Sequence, residues 1–182
     1  ISNAASFRVR PGIGIRLKLD NLATGRWHGS TGDKAKFGLT IPGVLKVVER
    51  LTEVGMMDCL ELLHCHMGSQ LSNIQVINEG IQDLTRVYAD LQKMGAALAY
   101  LDIGGGLGVD YDGSQTNWDF STNYSLEENA ATIVYRIKSV CDESGVEHPT
   151  IVTEAGRAMV SHHSLLVTDI LYRVVDPRVS LK

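Results

Sequence analysis

Leu98-Ala99-Tyr100-Leu101-Asp102-Ile103 reads as a short strand, and it runs straight into Gly104-Gly105-Gly106-Leu107-Gly108. Upstream, Ile74, Ile77, Ile81, Leu84, Val87, Tyr88, Leu91 and Met94 make one apolar stripe at helical spacing, closed by Gly95. Before that helix lies an apolar strand, Cys59 to His66, which ends in His64-Cys65-His66-Met67-Gly68-Ser69-Gln70. Further upstream, Pro42 to Gly55 carries Val44, Val47, Val48 and Leu51 at helical spacing with Gly55 as a stop, and Gly12 to Leu19 alternates as a strand.

Downstream of the glycines, the polar stretch Gly108 to Tyr124 has no periodicity and reads as a long functional loop. Ser125 then opens a helix, with Glu128 completing a capping box, and Gly145 ends it. Thr150 to Thr153 is a fourth strand reaching Glu154, and Ser164 to Val175 is strand-like again. Strand and helix thus alternate every roughly 40–50 residues, the rhythm of βα units on a parallel sheet. Right-handed crossovers gather the strand C-termini on one side, where parallel α/β folds, barrel or open, place their active sites.

Composition narrows the partners. The 182 residues are 44% hydrophobic and 21% charged, as in a globular domain with one core. A formal net charge of −4, without a Lys/Arg stripe, argues against nucleic acid. No apolar run approaches the roughly 20 residues of a membrane-spanning helix. Cys59, Cys65 and Cys141 form neither a disulfide framework nor a CxxC zinc pair, which points to a reducing, cytoplasmic setting. The chain opens on Ile1 without a signal-peptide pattern, and truncation is the expectation.

Each candidate motif falls just past a strand C-terminus. In the first, His64 and His66 share a strand face. They could be a metal pair, which would want further ligands such as His162 and His163, although those sit in or after a turn. His66 could instead lie flat on a cofactor ring while Ser69 binds a phosphate, or both histidines could simply cap a strand. Gly104, Gly105 and Gly106 leave backbone N–H groups bare, as a phosphate cradle or as a tight turn. The spacing is not GxGxxG, since Val109 stands where the third glycine is needed, and no P-loop GK[ST] follows. Glu154-Ala155-Gly156-Arg157 offers a carboxylate for a cationic ring nitrogen and a guanidinium for a phosphate, or else an ordinary ion pair. Taken together, a phosphate loop, a stacking histidine and a carboxylate are what pyridoxal phosphate requires.

HMGSQ (His66–Gln70), DIGGGLG (Asp102–Gly108) and EAGR (Glu154–Arg157), in this order and at these spacings, resemble the ornithine/diaminopimelate/arginine decarboxylase family. Lys36-Phe37-Gly38 matches a further family signature, and the resemblance runs from Gly12 to Leu171. Longer strings, among them Gly25–Leu39, Leu62–Gln70, Gly104–Ser114, Asn123–Glu128 and Gly156–Ser164, are similar to the arginine branch.

The resemblance implies an α/β fold: part of a pyridoxal-phosphate-binding (β/α)8 TIM barrel of the alanine-racemase-like type over residues 1–162. Residues 163–182 would be the first strand of a C-terminal β domain. It implies decarboxylation of L-arginine to agmatine and CO2 in polyamine biosynthesis. Position by position, His66 would stack on the ring and Ser69 would bind the phosphate, with amides from Gly104, Gly105 and Gly106. Glu154 would meet the pyridine nitrogen, Gly156 and Arg157 would lie near the phosphate, and Arg16 near the cofactor. His66 and Glu154 are the catalytic candidates, no metal site is expected in this chain, and Mg2+ enters through the family likeness alone. Ala155 replaces the proline common in the family motif, which loosens the turn.

The family likeness further implies a homo-oligomer, at least a dimer, with active sites built across the interface. Its Schiff-base lysine lies upstream of this chain, since Lys18, Lys34, Lys36 and Lys46 do not sit in that context. Its cysteine–aspartate segment and late tyrosine lie downstream. The isolated chain is therefore expected to be poorly stable and inactive. Rival readings are a diaminopimelate or carboxynorspermidine decarboxylase, a non-catalytic homologue that binds proteins, and a metal-dependent hydrolase using His64 and His66.

Overall fold

A computed structural model describes residues 7, 9–19, 36–169 and 172. Four strands, β1 (Ile13–Leu17), β2 (Leu60–Cys65), β3 (Tyr100–Asp102) and β4 (Thr150–Val152), form one parallel sheet in chain order. Helices α1 (Ile41–Glu53), α2 (Ile74–Lys93) and α3 (Leu126–Ser144) make the crossovers, and a short helix α4 (Gly156–Val160) follows β4. A doubly wound sheet reverses its strand order at a switch point, whereas these strands step in one direction, as in a barrel wall. The chain adopts part of the barrel, as the family likeness implies.

Local chemistry sets the helix ends. Thr40 and Asn73 accept backbone N–H groups at the starts of α1 and α2, and Pro42 occupies the first turn of α1. Ser125 and Glu128 close a reciprocal capping box on α3, and Gly145 ends that helix with φ of 66°, a conformation that suits glycine. None of the helices in the described residues is long and apolar enough to cross a membrane.

One sheet face is packed. Ile15, Leu17, Leu63, Cys65, Leu101 and Ile103 are each 5% exposed or less, in one core with Ile77, Ile81, Leu84, Tyr88 and Leu91 of α2. Burying each large apolar side chain contributes about 1.5–3 kcal/mol, so this layer dominates the stability of the unit. The Tyr88 hydroxyl lies 3.1 Å from the Leu98 carbonyl oxygen and 3.2 Å from that of Glu147, which ties α2 to the segments entering β3 and β4. The opposite face is different. Gly14, Leu62, Tyr100 and Thr150 form one row across it, and Arg16, His64, Asp102 and Val152 the next row toward the strand C-termini. Tyr100 is 42% exposed there. Parallel sheets normally have both faces covered, and in a barrel the inner face is filled by side chains of the remaining strands.

Two expectations change. Residues 164–169 form no strand, and Leu165, Leu166 and Val167 stand exposed; a strand forms only where a partner backbone takes its hydrogen bonds, and none of β1–β4 pairs with this segment. Residues 170, 171 and 173–175 of that expected strand lie outside the described residues, as do Lys34 and Gly25 to Ala35 of the longest family-like string. The segment after Glu154, read as a turn, begins α4. The Gly108 to Tyr124 loop does lack helix and strand, yet it is stitched down. Tyr111 N–H donates to the Phe120 carbonyl at 2.8 Å, and the Ser121 hydroxyl donates to Asp110 Oδ1 at 2.7 Å.

Candidate active site

The three motifs leave β2, β3 and β4 from one level of the sheet, because His64, Asp102 and Val152 are partners in register. The glycines let the middle loop press between the outer two. Gly104 and Gly106 have φ of 70° and 98°, a region that side chains disfavour. A Cβ on Gly104 would also lie 2.7 Å from the Cys65 carbonyl oxygen and 3.2 Å from His66 Cα. One on Gly105 would lie 2.7 Å from the Glu154 carbonyl oxygen, and one on Gly106 would run into the Gly68 carbonyl. The tight turn is therefore real, and it is what brings the motifs of His66, Ser69 and Glu154 together.

The amides divide unequally. Gly104 N–H is taken by Asp102 Oδ1 at 2.9 Å, a local bond two residues back that satisfies a buried donor. The Gly104 carbonyl accepts Glu154 N–H at 2.9 Å. Among the described residues, the Gly105 and Gly106 N–H groups and the Ser69 hydroxyl have no protein acceptor. Gly104 thus serves the turn, and Gly105 and Gly106 remain as donors.

On the open face, His64 Nδ1 lies 3.0 Å from Asp102 Oδ2, within ion-pair distance, and among the described residues this buried nitrogen has no hydrogen-bond partner. Donor atoms of His64, Asp102 and Glu154 all fall within 4.8 Å of one another, a spacing a divalent cation could span. That set differs from the metal pair read in the sequence, His64 with His66. Among the described residues Glu154 and Arg157 form no ion pair, so the ordinary ion pair open to the sequence is not what the structure gives. Both side chains are exposed, Arg157 at the start of α4.

His66 is half-buried, and burial, with the Arg16 charge and then His64 beside it, pushes its pKa below the ordinary histidine value; Glu154 and Asp102 oppose this in part. Its imidazole is therefore neutral at neutral pH. Arg16 stands beside the site too, as the partner of His64 across β1 and β2. Burial pushes the Cys65 thiol up to about 12, so it stays protonated and inert as a nucleophile.

Two contributors went unread in the sequence. Gln70 holds a positive φ of 54°, rare for a side-chain-bearing residue. Its side chain donates to the Val109 carbonyl at 2.7 Å and accepts Val109 N–H at 3.1 Å. Two such bonds, at about 1 kcal/mol each, offset a left-handed conformation that costs about 1–2 kcal/mol. Asp102 is the other. The signal available for both was a polar side chain inside a motif with no task given to it.

The pyridoxal-dependent decarboxylase family, through its pyridoxal binding domain, matches residues 3–161. The chain belongs to this family. A biosynthetic arginine decarboxylase of Nostoc sp. is 48% identical over 93% of the chain, which covers 25% of that protein. The chain spans about a quarter of the length of the curated relatives it matches. The crystal structure of the biosynthetic arginine decarboxylase from Campylobacter jejuni superposes with a TM-score of 0.70 at 29% identity, over 85% of this chain and 24% of that one. A diaminopimelate decarboxylase from Helicobacter pylori superposes with a TM-score of 0.67 over 85% of this chain and 36% of that one, at 23% identity, a likeness of fold.

The residues of this pyridoxal-binding domain fit the ligand of its family. A phosphate wants N–H and O–H donors and a cation, and Gly105, Gly106, Ser69 and Arg157 offer them. A protonated ring nitrogen wants a carboxylate, which Glu154 presents on the open face. A neutral imidazole can lie on a cationic ring where an imidazolium would be repelled, which suits His66.

Proposed function

We propose that the chain is the cofactor-holding part of a pyridoxal-phosphate-dependent arginine decarboxylase, forming agmatine and CO2 from L-arginine in polyamine biosynthesis. The observation that carries this reading is the convergence of His66, the glycine loop and Glu154 at the strand C-termini of a partial barrel. Identity of 48% to an arginine decarboxylase along 93% of the chain favours the arginine branch.

When bound, the cofactor supplies the electron sink that makes loss of CO2 feasible. The protein's part is positioning and charge. Glu154 holds the proton on the ring nitrogen, which keeps that sink deep. His66 fixes the ring plane from one side as a neutral aromatic. Gly105, Gly106, Ser69 and Arg157 anchor the phosphate, so the ring keeps one orientation through the reaction. Gly104, Gly156 and Arg16 shape the surroundings without an assigned bond to the cofactor.

Residues 1–162 are the barrel part in this reading, and 163–182 start the β domain. The enzyme works as at least a dimer in a reducing cytoplasm, with the Schiff-base lysine supplied outside this chain, which alone releases no CO2 from arginine. The family likeness adds Mg2+ to the cofactors, tested by chelation and add-back. The deciding experiment gives the full-length protein L-arginine, L-ornithine, L-lysine and diaminopimelate in turn and measures CO2 and amine products. Agmatine formation with the highest kcat/KM on arginine supports the reading. Preference for diaminopimelate would move the enzyme to the neighbouring branch, and no release from any of the four would overturn the decarboxylase role.

A further inference from the structure

His64 has no task in the reading above, yet its surroundings are specific. It stands in β2 with Arg16 of β1 and Asp102 of β3 as its partners across the sheet. Its side chain is 14% exposed, and Nδ1 is buried 3.0 Å from Asp102 Oδ2, without a hydrogen-bond partner among the described residues. A buried ring nitrogen left unanswered is costly, so such an atom usually marks a group with a use.

Asp102 is not free to turn away from it, because Oδ1 is engaged by Gly104 N–H at 2.9 Å. Gly104 in turn receives the Glu154 N–H, which fixes the start of the Glu154 segment against the same loop. The Glu154 carboxylate then comes within 4.8 Å of donor atoms of both His64 and Asp102. Two carboxylates at that distance repel each other, and an imidazole close to both can moderate the repulsion. The guanidinium of Arg16 is turned toward Phe37, with its central carbon 5.5 Å from the ring centroid.

We propose that His64, anchored beside Asp102, is a positioning residue that holds the Glu154 carboxylate where it meets the ring nitrogen of pyridoxal phosphate. This rests on the reading of the site as a pyridoxal phosphate site. His64 acts through Glu154 and need not touch the cofactor.

The test uses the full-length enzyme, stripped of cofactor and titrated with pyridoxal phosphate while its absorbance is followed. His64→Leu should weaken cofactor binding about tenfold and shift the absorption band of the bound cofactor, which reports the environment of the ring nitrogen. His64→Asn places an amide nitrogen where Nδ1 stands and should recover most of both properties, whereas His64→Gln places it where Nε2 stands and should not. In a Glu154→Gln background, His64→Leu should add less than about twofold, since the effect passes through the residue already changed. Unchanged affinity and band in His64→Leu, or losses that multiply in the double variant, would overturn the proposal. If His64→Leu does not fold, the Asn and Gln variants decide, and equal binding by the two overturns it. Failure of the unmodified enzyme to take up pyridoxal phosphate would sink the cofactor reading itself, whereas uptake with indifferent His64 variants sinks the positioning role alone.

Discussion

On the helix-covered side of the sheet, Ile15, Leu63, Leu101 and Ile103 share one core with α2 and are each 5% exposed or less. On the other side, the same strands carry Arg16, His64 and Asp102 in a single row, with Glu154 just past the strand ends. Alternation along a strand makes both faces from one stretch of chain. The covered face supplies the free energy that lets the open one carry charged groups at close quarters. Stability and chemistry are thereby separable, and substitutions on the two faces should fail in different ways.

The largest expected effect is on the covered side. Leu63→Ala in the full-length protein should cost about 2–5 kcal/mol, read as a lower denaturation midpoint, while the folded protein keeps its cofactor affinity within about twofold. A matching loss of cofactor affinity would erase the contrast between the faces. Next comes Glu154→Gln on the open side, which should lower the decarboxylation rate about a hundredfold, or roughly 2.7 kcal/mol of barrier. Its denaturation midpoint should barely move, because Glu154 has an exposed side chain. Gln70→Ala lies between the two regions. Losing both bonds to Val109 should cost roughly 1–2 kcal/mol of stability and weaken cofactor binding, since the loop it clamps follows the glycines.

The smallest effect is one of pH. The His66 pKa is lowered in the folded state relative to the unfolded one. Its contribution to stability is therefore present above the unfolded value, near 6.5, and is lost as pH falls through the folded value. Cofactor affinity should decline over the same acid window as the imidazole becomes cationic against a cationic ring. Comparison with His66→Phe removes the part due to the phosphate's own titration. A pH profile identical in both proteins would count against the stacking role of His66.

Much of the packed face could be read from residue order. The stripe from Ile74 to Leu91 becomes α2, and the capping box at Ser125 and Glu128 and the stop at Gly145 appear where the pattern puts them. The motif positions were legible as well, because each follows a strand end. The expected strand after Ser164 shows the reverse case. Its residues have the right composition, but a strand is a relation between two backbones, and none of β1–β4 pairs with 164–169. Gly104 is similar: the sequence offers three equivalent amides, and Asp102 claims one of them.

Periodicity, caps and glycine placement are properties of neighbouring residues, so the sequence by itself determined the elements, their parallel α/β class and the motifs they end in. Whether those motifs meet depends on register across strands some forty residues apart, on which side chain claims which amide, and on how closely two loops approach. Tertiary structure alone decided that His64, Asp102 and Glu154 stand together, because that depends on contacts that no local pattern encodes.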